Sequence, residues 1–334
     1  MLTMTLLETG GPLVPETRPD PVPGPGQVRL KVSACGVCRT DLHVVDGDLP
    51  PRRPTIIPGH EVVGVVDAVG AGVVGRRIGE RLGVAWLAWT CGECRYCREG
   101  RENLCDRAEF HGWTRDGGYA DKIVADARYC FTPPATLSDA ECAPLLCAGL
   151  IGFRAWRMAC AGRTVKTLGL YGFGAAAHLL AQLALWRCQE VHAFVRPGDE
   201  AAGALARELG CAWAGPSGQA SPVPLDAAII FAPVGELVPE ALLAVRKGGA
   251  VICAGIHMSD IPAMPYETLW GERTLASVAN LTRQDALDYF PMAEQAGVRP
   301  HVTLYPLERA NEALDDLRNG RFAGAAVLVN AGPP

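Results

Sequence analysis

Cys91-Gly-Glu-Cys94-Arg-Tyr-Cys97, closed by Cys105, is the stretch that most restricts what this chain can become. Cys91, Cys94 and Cys97 recur at every third position, and Cys105 follows within the next turn or two of chain. Four soft, deprotonatable ligands on short spacers are what a tetrahedral structural zinc requires. Gly92 and Gly100 let the backbone turn around an ion. Two disulfides, or four buried thiols, are the alternatives the spacing leaves. In function, the rival is a zinc module that binds nucleic acid.

Composition argues against that rival. The net charge is -5, with Lys+Arg 31 and Asp+Glu 36 interspersed. No basic stripe appears, so no nucleic-acid partner is expected. The 334 residues, 49% of them apolar, suffice for two ordinary domains with their own cores. The opening residues carry no basic region followed by a long apolar run, which predicts no signal peptide. The longest apolar runs, near residues 179–186 and 227–234, are too short for a membrane span, so no membrane partner is expected. Of 13 cysteines, Cys35, Cys130, Cys142, Cys160, Cys188, Cys211 and Cys253 lie scattered in apolar surroundings. Scattered thiols of this kind predict a reducing cytoplasm.

The first part of the chain reads as β-rich. Residues 11–26 are loop, and Gln27–Ala34 alternates as a half-buried strand does. Cys35-Gly-Val-Cys38-Arg-Thr-Asp-Leu-His43 follows, then Pro58-Gly-His60-Glu61-Val-Val-Gly64, with a strand running on to Val69. Gly47 and Pro50, Pro51, Pro54 and Pro58 make helix unexpected between these motifs. Asp116-Gly-Gly-Tyr-Ala120 turns into a strand over 121–125. Ser138, with Glu141 three residues on, predicts a capped helix start, and Cys147-Ala-Gly149 comes just after.

These motifs, in this order, resemble the zinc-dependent medium-chain alcohol dehydrogenases over essentially the whole chain. The resemblance implies a β-rich GroES-like catalytic domain carrying a structural zinc lobe, joined to a Rossmann domain with a doubly wound parallel sheet. It implies residues 1–150 and 284–334 for the catalytic domain and 151–283 for the nucleotide-binding domain. It also implies two zinc ions per subunit. Cys38, His60 and Cys147 would hold the catalytic ion, and Cys91, Cys94, Cys97 and Cys105 the structural one. The catalytic set belongs to the family; Cys38, His60 and Cys147 are too far apart in sequence for spacing to group them. Two thiolates and one imidazole leave a fourth position open for an alcohol oxygen, whose pKa the metal lowers. Glu61 is implied as a supporting group, Thr40 and His43 as a proton relay, and Arg39 as a contact to the coenzyme pyrophosphate.

Thr167-Leu-Gly-Leu-Tyr-Gly172-Phe-Gly174-Ala-Ala-Ala177 has a strand, a Gly-x-Gly-x-x-Ala turn and then the helical pattern 175–186. That context makes it a dinucleotide fingerprint, with the pyrophosphate at the helix N-terminus. The strand Val191–Val195 should end on an acidic residue in a NAD site. It ends on Arg196-Pro197, which favours NADP(H), although Asp199 lies three residues further and could reach a ribose. Helices are expected over Glu200–Leu209 and Glu236–Arg246, strands over Leu225–Val234 and Gly249–Ile256, and a last strand over Leu275–Asn280. Together these predict a six-stranded parallel sheet, with Ile256 passing the nicotinamide. In the resembling family that last strand pairs across subunits, so a homodimer or homotetramer is expected. Glu308–Arg318 reads as an amphipathic helix and Gly324–Val329 as a closing strand. Ala325 stands where the family often has an arginine for pyrophosphate. Trp86, Trp89 and Trp113 read as core, or as a wall favouring slim or flat substrates.

The function expected is reversible hydride transfer between an alcohol and an aldehyde or ketone, using NAD(P). The alternatives are a zinc-free quinone or enoyl reductase of the same fold, or a non-catalytic zinc-binding protein.

Overall fold

The computed structural model describes residues 1–330 and separates into two units. The first holds Met1–Ala148, Asn280–Glu294 and the residues from Arg299 on; the second holds Gly149–Ala279 and Gln295–Val298.

The first unit is built on a seven-stranded sheet in the order Val302–Pro306, Ala325–Val329, Gln27–Val37, Glu61–Val69, Arg81–Val84 and Cys130–Phe131, with Lys122–Asp126 also pairing Gln27–Val37. Gln27–Val37 begins by alternating buried and less buried residues and ends in a continuous buried run. It is half-wet where it enters and enclosed where it delivers Cys38. Its antiparallel partner puts Glu61 opposite Gly36 and Val62 opposite Cys35. This register brings the residues just beyond the two strand ends, Cys38 and His60, to the same place. Val28, Leu30, Ile57, Leu82, Val84 and Tyr119 fill the core.

After Cys38 the chain forms the helix Arg39–Asp46, which ends at Gly47 in the left-handed region. The prolines that argue against helix act only from Pro50 onward, so this helix fits before them. Asp41, in its first turn, accepts the Cys38 backbone N–H at 2.9 Å. Ser138 caps Asp139–Cys142 by accepting the Glu141 N–H, and the Glu141 carboxylate accepts the Ser138 N–H, as the sequence predicts. A 3₁₀ turn, Ala143–Leu146, with Pro144 at its start, then ends at Cys147.

The second unit is a six-stranded parallel sheet in the order Trp213–Pro216, Glu190–Val195, Thr167–Tyr171, Leu225–Ile230, Val245–Cys253 and Thr274–Ser277. Its order reverses beside Thr167–Tyr171, where doubly wound folds bind ligands at the carboxyl ends of strands. The helix Ala175–Trp186 falls where its apolar pattern places it, and Glu200–Glu208 stops with Gly210 at a φ of 91°. Several expectations shift. Residues 11–26 are not all loop, because Leu13–Thr17 is a strand paired antiparallel with Leu2–Leu6. The strand expected over Gly249–Ile256 stops at Cys253, and the last strand is Thr274–Ser277, three residues short of Asn280. Leu225–Ile230 is shorter than expected because the chain turns at Phe231–Pro233. The helix Leu237–Ala244 gives way two residues early to the strand Val245–Cys253. The strand Trp213–Pro216 carries Gly215 and Pro216, which read as turn residues, yet it occupies the sheet edge where proline is tolerated. Among the described residues no helix is long and apolar enough to cross a membrane.

Candidate active site

Cys38, His60, Glu61 and Cys147 each present one ligand atom, and the four atoms all lie within 4.8 Å of one another. The strand Gln27–Val37 delivers Cys38, the turn before Glu61–Val69 delivers His60 and Glu61, and the 3₁₀ turn delivers Cys147. Cys38 Sγ and Cys147 Sγ are 3.8 Å apart. A tetrahedron of about 2.3 Å Zn–S bonds has edges of about 3.8 Å, so the pair fits one ion. His60 is fully buried, and its Nε2 has no hydrogen-bond partner. Leaving an imidazole nitrogen buried and unpaired costs about 1–3 kcal/mol, which an ion at that atom removes.

Asp41, which its sequence neighbours do not mark as a site residue, completes the site. Its Oδ1 lies 3.1 Å from His60 Nδ1 and accepts the Gly59 N–H at 3.0 Å. A carboxylate on Nδ1 sets the tautomer that leaves Nε2 as the ligand atom. The local signal is that of a helix cap: Cys38-Arg-Thr-Asp41 has the spacing of a capping box.

The electrostatics follow from this enclosure. The Cys38 thiol is held well below its ordinary value, first by the Cys147 thiol hydrogen bond and then by His60. Cys147 is pushed up by that same shared bond and by burial. Burial and then the Cys38 charge push the Glu61 carboxyl well up. Gly36 makes room for Glu61, since a Cβ there would stand 1.9 Å from Glu61 Oε2.

Thr40 Oγ1 lies 3.8 Å from Cys38 Sγ. His43, one helical turn on along the same face, lies 2.7 Å through Nδ1 from the Asp48 carboxylate. Arg39 is exposed at the start of this helix. Trp86 meets the His60 ring edge-on at 4.9 Å and stacks with Trp113 at 6.1 Å and with Phe110 at 5.3 Å. Nothing in the sequence around Phe110 marks it for this place. Trp89 instead pairs with Glu109 in a short ladder.

The Cys91, Cys94, Cys97 and Cys105 thiols form a second group of the same compactness. Their sulfurs stand 3.5 Å apart for Cys94–Cys97 and Cys91–Cys105, and 3.8 Å for Cys91–Cys97. All 13 cysteines are free thiols, so the disulfide alternative falls away. The Glu93 backbone N–H leads in lowering Cys91 to about 6, whereas burial lifts Cys105 to about 12.

In the second unit Gly172 has a φ of 87°, and a Cβ on it would come within 2.8 Å of the Ala232 backbone nitrogen. Gly174 caps Ala175–Trp186, and a Cβ on it would meet nothing within 4 Å. Open space therefore stands at the helix N-terminus, the place of an anion. Ala177 is fully buried, a small residue where helix meets sheet. Arg196 is exposed beyond Glu190–Val195, while the Asp199 carboxylate accepts the Ala202 N–H at 3.1 Å as a helix cap. Ile256 is exposed beyond Val245–Cys253.

A fold of these two units, with a Cys₂His group in one and a Gly-rich turn in the other, defines a dehydrogenase class. Residues 24–135 match the alcohol dehydrogenase GroES-like domain. The chain is 48% identical to a probable alcohol dehydrogenase, AdhA, of Mycobacterium tuberculosis, over 96% of this chain and 93% of that protein. In structure it is similar to a cinnamyl alcohol dehydrogenase of Sorghum bicolor (TM-score 0.87, 26% identity, covering 97% of this chain and 96% of that one). It is equally similar to an acetophenone reductase of Geotrichum candidum solved with NAD (TM-score 0.88, 26% identity, covering 98% and 97%). The chain belongs to the zinc-dependent medium-chain alcohol dehydrogenase family.

Proposed function

We propose that Cys38, His60 and Cys147 hold a catalytic zinc at which an alcohol is reversibly oxidised, and that Cys91, Cys94, Cys97 and Cys105 hold a second, structural one. The buried, unpartnered His60 Nε2 beside two thiols carries this reading. Zinc bound there supplies a Lewis acid that polarises the substrate hydroxyl. A nicotinamide dinucleotide supplies the hydride acceptor.

The remaining work falls to the chain's own side chains. Asp41 fixes the His60 ring. Thr40 Oγ1 accepts the hydrogen bond of the substrate hydroxyl, and His43 takes the proton onward, its ring held through Nδ1 by the Asp48 carboxylate. Glu61, buried beside Cys38 and Cys147, supports the site. Trp86 and Trp113, with Phe110, present flat apolar surface and favour slim or flat alcohols.

We assign residues 151–283 to nucleotide binding, and 1–150 with 284–334 to catalysis. Gly172, Gly174 and Ala177 seat the pyrophosphate, Arg39 adds charge to it, and Ile256 borders the nicotinamide. NADP(H) is the favoured coenzyme, because Arg196 stands exposed just beyond the strand Glu190–Val195 while Asp199 is committed to its helix. Thr274–Ser277 is a sheet edge with one side unpaired, which supports a homodimer or homotetramer. The reduced thiols support a cytoplasmic setting.

Two measurements test this. Metal analysis, with a panel of alcohols followed at the nicotinamide absorbance, should find two zinc ions per subunit and turnover; fully metallated protein that reduces neither coenzyme overturns it. Arg196→Ala should weaken NADP(H) about tenfold while changing NAD(H) little; equal losses would remove the coenzyme preference.

A further inference from the structure

The connection from Trp213–Pro216 to Leu225–Ile230 is unusual for a parallel sheet. It passes two strands, Glu190–Val195 and Thr167–Tyr171, within residues 217–224 and forms no helix. Parallel crossovers ordinarily use a dozen or more residues, most often with a helix. Next to the connection is a cavity of about 610 Å³, lined among others by Tyr171, Ser221, Val223, Leu243, Arg246 and Arg273. That volume lies within the range of small-molecule sites.

Ser221 is hydrogen-bonded at this wall. Its Oγ lies 3.2 Å from His192 Nδ1, and His192 Nε2 lies 2.7 Å from Glu190 Oε1. His192 is 1% exposed, and its ring is flanked by Trp213. The Glu190 carboxylate only accepts, so Nε2 carries the hydrogen of the neutral ring. Nδ1 then offers its lone pair to the Ser221 hydroxyl. A hydroxyl on a base that is itself oriented by a carboxylate is the arrangement of an activated nucleophile.

We infer that Ser221, His192 and Glu190 form a second active site, which hydrolyses small carboxylic esters with apolar bodies. Ser221 Oγ bonds to the ester carbonyl carbon as its proton passes to His192 Nδ1. The C–O bond to the alcohol breaks, and the leaving oxygen takes that proton back. Water then attacks the acyl-serine, giving its proton to His192; the C–Oγ bond breaks, Ser221 recovers the proton, and the acid departs. Atoms and charge balance with water as the sole co-reactant. Arg246, paired with the Asp226 carboxylate, and Arg273, bonded to the Val245 and Trp270 carbonyls, line the same cavity. Nothing in this step uses the zinc-binding residues.

The test uses the full-length, metal-loaded protein, a fluorophosphonate probe and p-nitrophenyl acetate. Peptide mass spectrometry should find the phosphonyl group on Ser221. Ser221→Ala should abolish that label and lower p-nitrophenyl acetate hydrolysis at least about 100-fold, with alcohol oxidation unchanged. Glu190→Gln, at a side chain 50% exposed, should lower kcat about tenfold and leave KM in place, a split that simple loosening of the loop would not produce. A label on another residue, no label at all, or hydrolysis that survives Ser221→Ala each overturns the proposal, leaving the bond to His192 as a fastening of the crossover to its strand.

Discussion

Two groups of thiols in one unit share a chemistry and differ in how they are built. Cys91, Cys94, Cys97 and Cys105 come from one short run, and most of them are partly exposed. Their supporting groups are local: the Glu93 N–H, and an exposed Arg107 that pairs with Glu93 beside the Cys91 sulfur. Cys38, His60 and Cys147 come from three separate elements; His60 and Cys147 are buried and Cys38 partly so, with a fully buried Asp41 behind the imidazole. A lobe closed by four thiolates has no place left for a substrate. A group of two thiols and one imidazole does. Ligand count thus separates structure from chemistry, and burial decides how strongly the neighbours matter.

If this division holds, Cys38→Ser is the most damaging change to turnover. Losing several kcal/mol of transition-state stabilisation should reduce alcohol oxidation at least about 1,000-fold. Coenzyme binding, followed by fluorescence, should persist. Turnover near the starting rate would break the comparison outright. Asp41→Asn comes next. It leaves the shape but weakens the acceptor on His60 Nδ1, so zinc affinity measured by competition with a chelator should fall about 10- to 100-fold. An unchanged affinity would mean that the buried carboxylate merely caps its helix.

Cys97→Ser should act in the other direction. Zinc binding in such a lobe is coupled to folding, so the thermal midpoint should fall by about 5 °C or more. Turnover per metal-loaded catalytic site should stay within about twofold of the parent. A stable variant with lost turnover would show the two groups to be exchanged in role.

The same contrast explains how much of the molecule is legible in its sequence. The lobe, the Ser138–Glu141 cap, the helix Ala175–Trp186 and the Gly172–Gly174 turn are set by neighbours within a few residues, so their patterns are complete in the sequence. Cys147 has no local mark of its role. It joins Cys38 and His60 only because the register of Gln27–Val37 on Glu61–Val69 and the 3₁₀ turn before Cys147 converge, and the family resemblance alone could group the three. Asp41 went unread because its partners, the Gly59 N–H and His60 Nδ1, lie 18 and 19 residues away. The helix Arg39–Asp46 was obscured by prolines that begin four residues after it ends. Trp213–Pro216 was hidden because glycine and proline signal a turn unless the strand is known to lie at an edge.

The finest test of the comparison concerns Arg107 against Asp41. Both place a charge beside a metal-capable group, but Arg107 is exposed and Asp41 is not. The Arg107 charge lies against Cys91 Sγ and favours its thiolate. Water and salt screen it there, so Arg107→Ala should weaken metal retention by the lobe no more than about fivefold. The loss should shrink as ionic strength rises, and turnover should not change. If Arg107→Ala instead matched Asp41→Asn in size, or its effect were indifferent to salt, burial would not be what ranks the two supporting groups. The lobe would then depend on Arg107 through the shape of its loop, held by the Glu93 pair, and not through the field the guanidinium exerts on the sulfur.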